Sequence, residues 1–302
     1  MTAPEGFRSG FVSFVGRPNT GKSTLTNALV GEKIAITSSR PQTTRHAIRG
    51  IVHRPDAQII LVDTPGLHRP RTLLGERLNA LVEDTYQDVD LIGLCIPAGE
   101  KIGPGDRWIL EQVRALCPNT PLVGLVTKID TVTKQQVLEQ LVAVSTLLGP
   151  DAEVVPVSAT AGEQVDVVAD VIASLLPEGP KFYPEDMITE ESDESRMSEL
   201  IREAALEGVR DELPHSIAVT IEEVIPREGR DDMVDVHAVV YVERQSQKAI
   251  VLGKGGSRMR EVGTQARKGI EELLGTKIYL DLHVKVLKEW QRDPKMLGRL
   301  GF

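Results

Sequence analysis

The sequence predicts an α/β domain, with a mostly parallel sheet covered by helices on both faces, followed by a smaller α+β domain. Residues 8–176 alternate short apolar runs with longer amphipathic stretches, which is typical of the strands and helices of a parallel sheet. Residues 177–192 are rich in Pro, Gly and acidic residues and lack periodicity, as expected of a linker. Residues 193–302 combine a helical pattern with strands of alternating polarity, so we expect a second domain there.

The composition is that of an ordinary globular protein. The chain has 302 residues, enough for two hydrophobic cores, and is 41% hydrophobic and 26% charged. No apolar stretch approaches the ~18 residues needed to cross a bilayer, and the first ten residues lack the apolar core of a signal peptide. Cys95 and Cys117 form no spacing pattern, and Cys95 is expected to be a small buried hydrophobe. We therefore expect a reduced, cytoplasmic protein.

Charge is distributed unevenly along the chain. The net charge is −9, which taken alone argues against a nucleic-acid partner. Residues 246–302, however, carry twelve Lys and Arg against six Asp and Glu, a net charge of +6 that leaves −15 for the preceding residues. This asymmetry predicts an acidic body with a basic binding face.

Each element of the first domain is predicted from its apolar pattern. The strand candidates are the short apolar runs at residues 11–15, 48–53, 58–62, 90–96, 122–127 and 153–157. The helix candidates have helical periodicity and lie at residues 22–30, 73–87, 105–116, 133–147 and 165–176. Ligands of such sheets bind beyond the carboxyl ends of the strands, so we expect the functional residues there.

A glycine-rich loop lies between the first predicted strand and the first predicted helix. It has the spacing G-x-x-x-x-G-K-S. Such a loop directs backbone N–H groups and the positive end of a helix dipole toward a pyrophosphate, with Lys22 reaching the outer phosphates and Ser23 binding Mg²⁺. The predicted phosphate-binding residues are Gly16, Arg17, Pro18, Asn19, Thr20, Gly21, Lys22, Ser23 and Thr24. The sequence therefore predicts a nucleoside phosphate as ligand.

A second motif, formed by Asp63, Thr64, Pro65 and Gly66, follows the apolar run at residues 58–62. Taken alone, its Pro-Gly pair is typical of a simple turn. After a phosphate-binding loop, however, an Asp at a strand end can reach the Mg²⁺ shell, and a Gly can offer its backbone N–H to a γ-phosphate. Its position in the chain favours the nucleotide interpretation.

Two further motifs predict which base is bound. Thr127, Lys128, Ile129 and Asp130 end the run at 122–127, and Ser158 and Ala159 follow the last predicted strand of the sheet. Asp130 can accept hydrogen bonds from N1–H and the N2 amine of guanine. Adenine has neither donor and would leave the carboxylate unpaired, which discriminates strongly. Backbone N–H groups near Ser158 and Ala159 could meet the base carbonyl.

In order and spacing these motifs resemble those of translation-factor-type GTPases. Between the first two lies P-Q-T-T-R-H at residues 41–46, which is similar to switch I of the Era family. The resemblance implies GTP, GDP and Mg²⁺ as ligands and GTP hydrolysis as activity. It also implies that one Thr of the pair Thr43 and Thr44 completes the Mg²⁺ site in the GTP state, and we favour Thr44. Lys22, Thr44 and Gly66 are the implied catalytic residues, and no water-activating group is identified.

Two departures from the family pattern and one match affect the expected chemistry. Thr127 stands where the family usually has Asn, and a Thr cannot make the same bidentate contact. Leu67 stands where Ras-type GTPases place a water-orienting Gln, so slow intrinsic hydrolysis is expected. Asn19 matches the residue that related GTPases use to hold K⁺, which leads to the hypothesis of K⁺-stimulated hydrolysis.

The second domain carries a candidate nucleic-acid loop. A helical pattern at residues 197–205 is followed by strand patterns at 217–224, 234–242 and 278–286, whose alternation predicts antiparallel pairing with one wet face. A G-x-x-G loop between short helices can expose N–H groups to a nucleic-acid backbone, and basic side chains add complementary charge. The predicted RNA-binding residues are Gly253, Lys254, Gly255, Gly256, Arg258 and Arg260. The order of elements resembles a type II KH domain, which clamps about four nucleotides of a single strand.

The tail continues the resemblance to the Era family, which then covers residues 8–302. The segment K-E-W at 288–290 and the closing L-G-F at 300–302 are similar to the end of that family's KH domain. Trp290 could stack a base or pack the tail. The resemblance implies binding to the 3′ end of 16S rRNA, a role in 30S subunit biogenesis and some peripheral contact with the inner membrane. We expect a monomer.

Three alternatives stay open at this point. The chain could be a nucleotide-independent RNA-binding protein with a structural G domain, although intact Lys22, Ser23, Asp63 and Asp130 argue against that. It could be an ATP-using enzyme with a phosphate-binding loop. It could also be a membrane-associated signalling GTPase, which has no need of the loop at residues 253–256.

Overall fold

The computed structural model describes residues 4–37, 43–66, 72–207, 213–230 and 232–302. The chain divides into two compact units. The first comprises Met1–Ala35, Thr44–Arg69 and Leu78–Glu190, and the second comprises Ile36–Thr43, Pro70–Arg77 and Glu191–Phe302. Each unit is described by itself below.

The apolar runs of the first unit form one sheet, which has six strands in the order β2-β3-β1-β4-β5-β6 within the described residues. Among these six described strands, β2 alone is antiparallel to its neighbour. The strands are β1 (Arg8–Val15), β2 (Ile48–His53), β3 (Ala57–Asp63), β4 (Leu91–Pro97), β5 (Leu122–Thr127) and β6 (Val154–Pro156). The associated helices are α1 (Lys22–Val30), α2 (Leu73–Asp88), α3 (Pro104–Leu116), α4 (Lys134–Leu148) and α5 (Val165–Leu175). The predicted α/β class is thereby confirmed.

Burial of the sheet on both faces explains why its central strands read as continuous apolar runs. Every residue of β3 and β4 is buried. Cys95, in β4, is fully buried, which confirms the expectation of a small core residue and raises the pKa of its thiol to about 12. Because β1, β3 and β5 are parallel, their carboxyl ends at Val15, Asp63 and Thr127 open onto one edge of the sheet.

Residues 177–190, most of the predicted linker, belong to the first unit. Glu178 forms an antiparallel bridge with Arg8, and Thr189 forms one with Gly50. The buried side chain of Gln58 accepts hydrogen bonds from the backbone N–H groups of residues 182 and 183 at 2.7 and 3.0 Å. A polar residue inside an apolar strand is thus satisfied by this segment.

The second unit has its own helices and a sheet of three strands in the order β7-β8-β9 among the residues described. The strands are β7 (Ala218–Pro226), β8 (Met233–Val242) and β9 (Lys277–Val286). The helices are α6 (Asp193–Leu206), α7 (Leu213–Ser216), α8 (Gln245–Leu252), α9 (Ser257–Leu274) and α10 (Pro294–Arg299). The predicted order helix, strand, strand, helix, helix, strand is confirmed by α6, β7, β8, α8, α9 and β9.

One strand pairing of this unit was predicted wrongly. The pair β7 and β8 is antiparallel, as expected, but β9 runs parallel to β8, from Met233 beside Lys277 to Val242 beside Val286. The intervening helices α8 and α9 form a crossover, which is what a parallel pair requires. Alternation along β9 could not indicate its direction, because both kinds of pairing give the same side-chain period.

The tail packs into the second unit through Trp290. Its side chain is fully buried, its Nε1–H donates to the backbone oxygen of Ser216 at 3.2 Å, and its ring stacks on Phe302 with centroids 5.7 Å apart. Of the two roles considered for Trp290, packing of the tail is the one that the structure supports. None of the described helices is long and apolar enough to span a membrane.

Candidate nucleotide and nucleic-acid sites

The glycine-rich loop between β1 and α1 has the backbone that its sequence predicts. Gly16 and Gly21 adopt φ angles of +155° and +95°. A Cβ on Gly16 would lie 2.6 Å from the carbonyl oxygen of Cys95 and 2.8 Å from Oγ1 of Thr20, so no larger residue fits without displacement of the backbone. The loop therefore lies close to β4, and α1 begins directly after it at Lys22.

Lys22 lies inside this loop, and its ammonium is directed at backbone oxygens. Its Nζ donates to the carbonyls of Gly16 and Arg17 at 3.0 and 2.8 Å. Burial lowers the pKa of Lys22, because a cation removed from water is disfavoured. A bound phosphate anion at this point would offset that cost.

The side chain of Arg17 is engaged away from the predicted phosphate position. Its Nε donates to Oδ1 of Asp106 at 2.8 Å and its Nη2 to Oε2 of Glu100 at 2.9 Å. The hydrogen bond to Asp106 raises the pKa of Arg17. Asp106 is itself buried in the first turn of α3 and accepts from the backbone N–H of Gly103. The pair thus links the loop to α3, while the backbone oxygen of Arg17 accepts from Lys22 within the loop.

Three oxygen ligands predicted from separate motifs converge at the strand ends. The Oγ of Ser23 and the Oγ1 of Thr44 donate to the same oxygen, Oδ2 of Asp63, at 2.8 and 3.1 Å, and the two hydroxyls are 3.3 Å apart. Among the described residues Oδ1 of Asp63 has no hydrogen-bond partner although it is buried. Burial raises the pKa of Asp63. A buried carboxylate with two hydroxyls fits Mg²⁺, which prefers oxygen ligands.

Thr64 and Pro65 are buried directly after β3, and Gly66 is partly exposed. Among the described residues, no atom beyond the two chain neighbours of Gly66 lies within 4 Å of where its Cβ would stand. Leu67, on which the expectation of slow hydrolysis depends, lies outside the described residues, as do Pro41 and Gln42 of the predicted switch I motif.

Thr127 braces the glycine-rich loop. Its Oγ1 donates to the buried backbone oxygen of Thr20 at 2.6 Å, and the Thr127 side chain is itself buried. The next residue, Lys128, donates through Nζ to the backbone oxygen of Asn19. The motif at the end of β5 therefore holds the loop at two consecutive carbonyls.

Asp130 and Ser158, which were predicted separately to lie at the guanine base, are joined by a hydrogen bond. The buried hydroxyl of Ser158 donates to Oδ1 of Asp130 at 2.6 Å and accepts from the backbone N–H of Ala161 at 3.1 Å. This orients an otherwise exposed carboxylate. A pocket beside it combines the start of α1 with the two base motifs, and it is lined by Gly21, Thr24, Leu25, Thr127, Lys128, Val157, Ala159 and Thr160.

The G-x-x-G loop of the second unit joins α8 to α9 with left-handed backbone. Gly253, Gly255 and Gly256 have φ angles of +71°, +60° and +76°. A Cβ on Gly253 would lie 2.8 Å from Cβ of Arg258, so the loop passes tightly against the start of α9. Lys254 and Gly255 are exposed at its tip, where a phosphate backbone could approach.

The three basic side chains predicted to bind RNA differ in their surroundings. Lys254 and Arg260 are exposed, and Arg260 donates to the carbonyl of Gly255 at 2.9 Å. Arg258 instead donates to the backbone oxygens of Ala205 and Glu207 at the end of α6. A guanidinium there satisfies carbonyls that the helix leaves without partners.

Sequence reasoning missed the partners of Arg17. Asp106 is the third residue of α3 and follows Gly103 and Pro104, a pattern typical of a helix start. That pattern predicts a capping carboxylate but not a second contact with a loop 89 residues away.

Comparisons with known proteins agree with this arrangement. A family model described as 50S ribosome-binding GTPase matches residues 11–128, and one described as KH domain matches residues 212–291. GTPase Era of Mycolicibacterium smegmatis is 73% identical over 296 residues, which are 98% of this chain and 99% of that protein.

Two solved structures match along the whole chain. One is Era in complex with MgGDPNP and nucleotides 1506–1542 of 16S ribosomal RNA, and the other is Aquifex aeolicus Era bound to GDP·AlF4⁻. Each is 36% identical with a TM-score of 0.91 and covers 98% of this chain and 99% of its own. Together with the site geometry and both family matches, these similarities show that the chain belongs to the Era family of GTPases.

Proposed function

We propose that this chain is a GTP-binding and GTP-hydrolysing switch protein that binds the 3′ end of 16S rRNA through its KH domain and acts in 30S subunit biogenesis. The observation that carries the proposal is the convergence of the Ser23 and Thr44 hydroxyls on one oxygen of buried Asp63. The similar Era structure that holds MgGDPNP and 16S rRNA supports both ligands.

The residues of the first unit divide into three roles. The backbone of residues 16–24 and the ammonium of Lys22 hold the triphosphate. Ser23, Thr44 and Asp63 would hold Mg²⁺, which neutralises charge on the β- and γ-phosphate oxygens when bound. Thr64 and Pro65 place Gly66, whose backbone N–H contacts the γ-phosphate. We assign the G domain to residues 8–176 with its continuation to 190, and the KH domain with its tail to residues 193–302.

Guanine is selected by Asp130, whose orientation by Ser158 is fixed before the nucleotide binds. Backbone N–H groups near Ala159 contact the base carbonyl. Thr127 and Lys128 act mainly on the glycine-rich loop, because both donate to its carbonyls. The substitution of Thr for the usual Asn thus keeps a link between the base motif and the phosphate loop.

Replacing Thr127 with Val is expected to lower the affinity for GTP and for GDP by about 10-fold, to the same extent for both. Val has nearly the same shape but leaves the buried Thr20 carbonyl without its donor, which costs about 1–3 kcal/mol. Titration with fluorescent nucleotides measures both affinities. Thr127→Ser keeps the hydroxyl and is the matched control, and equal affinities for the Val and Ser variants would contradict the bracing role.

Hydrolysis is expected to be slow without an activator, because Leu67 offers no carboxamide to orient water. We propose that K⁺ held at Asn19 supplies positive charge near the phosphates. Turnover in KCl is then expected to exceed turnover in NaCl at equal ionic strength, as measured by phosphate release. Equal rates in the two salts would rule out the K⁺ site and leave the GTPase assignment intact.

The RNA-binding role is tested at the tip of the G-x-x-G loop. Replacing Lys254 and Gly255 together with Asp is expected to lower affinity for a single-stranded RNA of the 16S 3′-end sequence by at least about 10-fold, since negative charge repels the backbone. Fluorescence anisotropy measures RNA binding, and GTP affinity is expected to stay unchanged. Replacing Lys295 and Gly298 with Asp, at two exposed positions of α10, changes the net charge by the same amount and is the charge-matched control. Equal RNA affinity for both variants would contradict the assignment.

Competition experiments separate the proposal from its rivals. GTP and GDP, but not ATP, are expected to displace a fluorescent guanine nucleotide, whereas an ATP-using enzyme would show the reverse. A structural G domain would leave ribosome assembly unchanged after Ser23→Ala. Peripheral membrane contact and a monomeric state stay predictions, which vesicle co-sedimentation and sedimentation velocity measure.

A further inference from the structure

Helix α6 of the second unit holds the chain on both sides of residues 38–42. Before this stretch, Ile36 is buried in the apolar core of the second unit, in the same cluster as Met197 and Ile201. The backbone N–H and the hydroxyl of Thr37 both donate to Oε1 of Glu203, at 2.9 and 3.3 Å. Two residues that precede the predicted switch I motif at 41–46 are therefore held by the second unit, Thr37 by direct contact with α6.

After this stretch, α6 contacts Thr43. The Nη2 of Arg202 donates to the backbone oxygen of Thr43, and both residues belong to the second unit. Arg202 is 2% exposed and is held by Glu199, one turn earlier, through Nε to Oε1 at 2.8 Å and Nη2 to Oε2 at 2.5 Å. The guanidinium therefore has a fixed direction.

A buried ion pair of this kind is weak evidence for stability. Removing two charges from water costs several kcal/mol per ion, and their attraction often only offsets that cost. An apolar pair could fill the same space on α6. An apolar pair could not donate a hydrogen bond to the carbonyl of Thr43. The contribution that requires an Arg at position 202 is therefore this hydrogen bond.

Thr43 precedes Thr44, whose hydroxyl donates to Asp63 beside Ser23. The peptide unit is planar, so the carbonyl oxygen of Thr43 and the amide nitrogen of Thr44 lie in one rigid plane. A donor that holds this oxygen in place therefore also restricts the orientation of the Thr44 backbone. Partners that orient a metal ligand in this way commonly change metal affinity by about 10- to 100-fold when they are removed.

We propose that Arg202, braced by Glu199, is a positioning residue for Thr44 and so sets the Mg²⁺ affinity of the triphosphate complex. The inference rests on the proposed GTPase function. The observed contact lies within the second unit, and its effect reaches Thr44 through the peptide bond that joins Thr43 to Thr44. Since switch I is ordered by γ-phosphate and Mg²⁺ contacts and released after hydrolysis, the effect belongs to the triphosphate complex and not to the diphosphate complex.

The test is a titration of the full-length protein with MgCl2, in the presence of fluorescent GDPNP or fluorescent GDP. Arg202→Met is expected to raise the Mg²⁺ concentration for half-saturation of the GDPNP complex by about 10-fold or more. The GDP complex is expected to change by less than about twofold. Arg202→Lys keeps the cation beside Glu199 and is expected to fall between Met and the parent chain. It also provides the measurement if the Met variant fails to fold.

Arg267→Met is the matched control, because Arg267 belongs to the same unit and loses the same charge but is half exposed and pairs with Glu271. An equal loss for GDPNP and GDP would show a merely structural role and overturn the inference. No change for either nucleotide would overturn it as well. If the parent chain itself bound neither nucleotide with a Mg²⁺ requirement, the proposed function would fail instead.

Discussion

Replacing Lys22 with Ala is expected to lower GTP affinity by about 100-fold or more. A hydrogen bond to a charged group contributes about 1.5–3 kcal/mol, and the ammonium of Lys22 is placed for at least one such bond with the outer phosphates. Its two present partners, the carbonyls of Gly16 and Arg17, lie in the loop that would surround the phosphates. Isothermal titration calorimetry with GTP and Mg²⁺ measures the loss.

The folded state of the Lys22→Ala protein is expected to be intact. Burial lowers the pKa of Lys22, which means that its positive charge is less favourable in the folded protein than in the unfolded chain. Removing this charge is therefore not expected to lower the free energy of unfolding. The melting temperature should therefore be retained while binding is lost. Lys134→Ala, at the exposed start of α4, is the control and should bind GTP normally. Normal binding by the Lys22 variant would show that this loop does not hold the phosphates.

Replacing Trp290 with Ala is expected to destabilise the second unit by about 3–5 kcal/mol. The substitution leaves a cavity in the tail, removes the stacked partner of Phe302 and breaks the bond from Nε1 to Ser216. Urea denaturation followed by circular dichroism measures the change. RNA binding is expected to decline with the unfolding of this unit, whereas GDP binding should persist, because the first unit has separate apolar cores.

The other tryptophan of the chain provides the control. Trp108 lies on α3 and is 38% exposed, so Trp108→Ala should cost much less, about 1 kcal/mol. Equal destabilisation by the two substitutions would show that burial of Trp290 is not what anchors the tail. Retained stability of the Trp290 variant, together with a specific loss of RNA affinity, would favour base stacking instead.

Much of the candidate site was predictable because its ligand-binding residues lie in short contiguous stretches of the sequence. The loop at residues 16–23, the motif at 63–66 and the motif at 127–130 each combine a strand end with residues that suit one ligand group. Parallel strands then bring these ends to one edge without further information. The approach of Ser23 to Asp63 was accessible in this way, whereas Thr44 was predicted only through the resemblance to the Era family.

Contacts between residues far apart in sequence were not predictable. Nothing local indicates that Arg17 pairs with Asp106, that Arg258 caps α6, or that Arg202 reaches Thr43. Each of these guanidiniums could equally have been a solvated surface charge. The parallel pairing of β9 was missed for the same reason, since the direction of a strand depends on the crossover that precedes it.

The segment at residues 177–190 also covers one edge of the six-stranded sheet. Strand β2 is one of the two edge strands of the described sheet. The backbone N–H of Ile51 donates to the carbonyl of Ile188 at 2.8 Å, and the hydroxyl of Thr189 donates to the carbonyl of Arg49 at 2.6 Å. An uncovered edge offers such groups to a strand of another molecule, which is a common route to aggregation. A G domain separated after Leu176 would leave this edge open to self-association, whereas one separated after Glu190 would keep it closed.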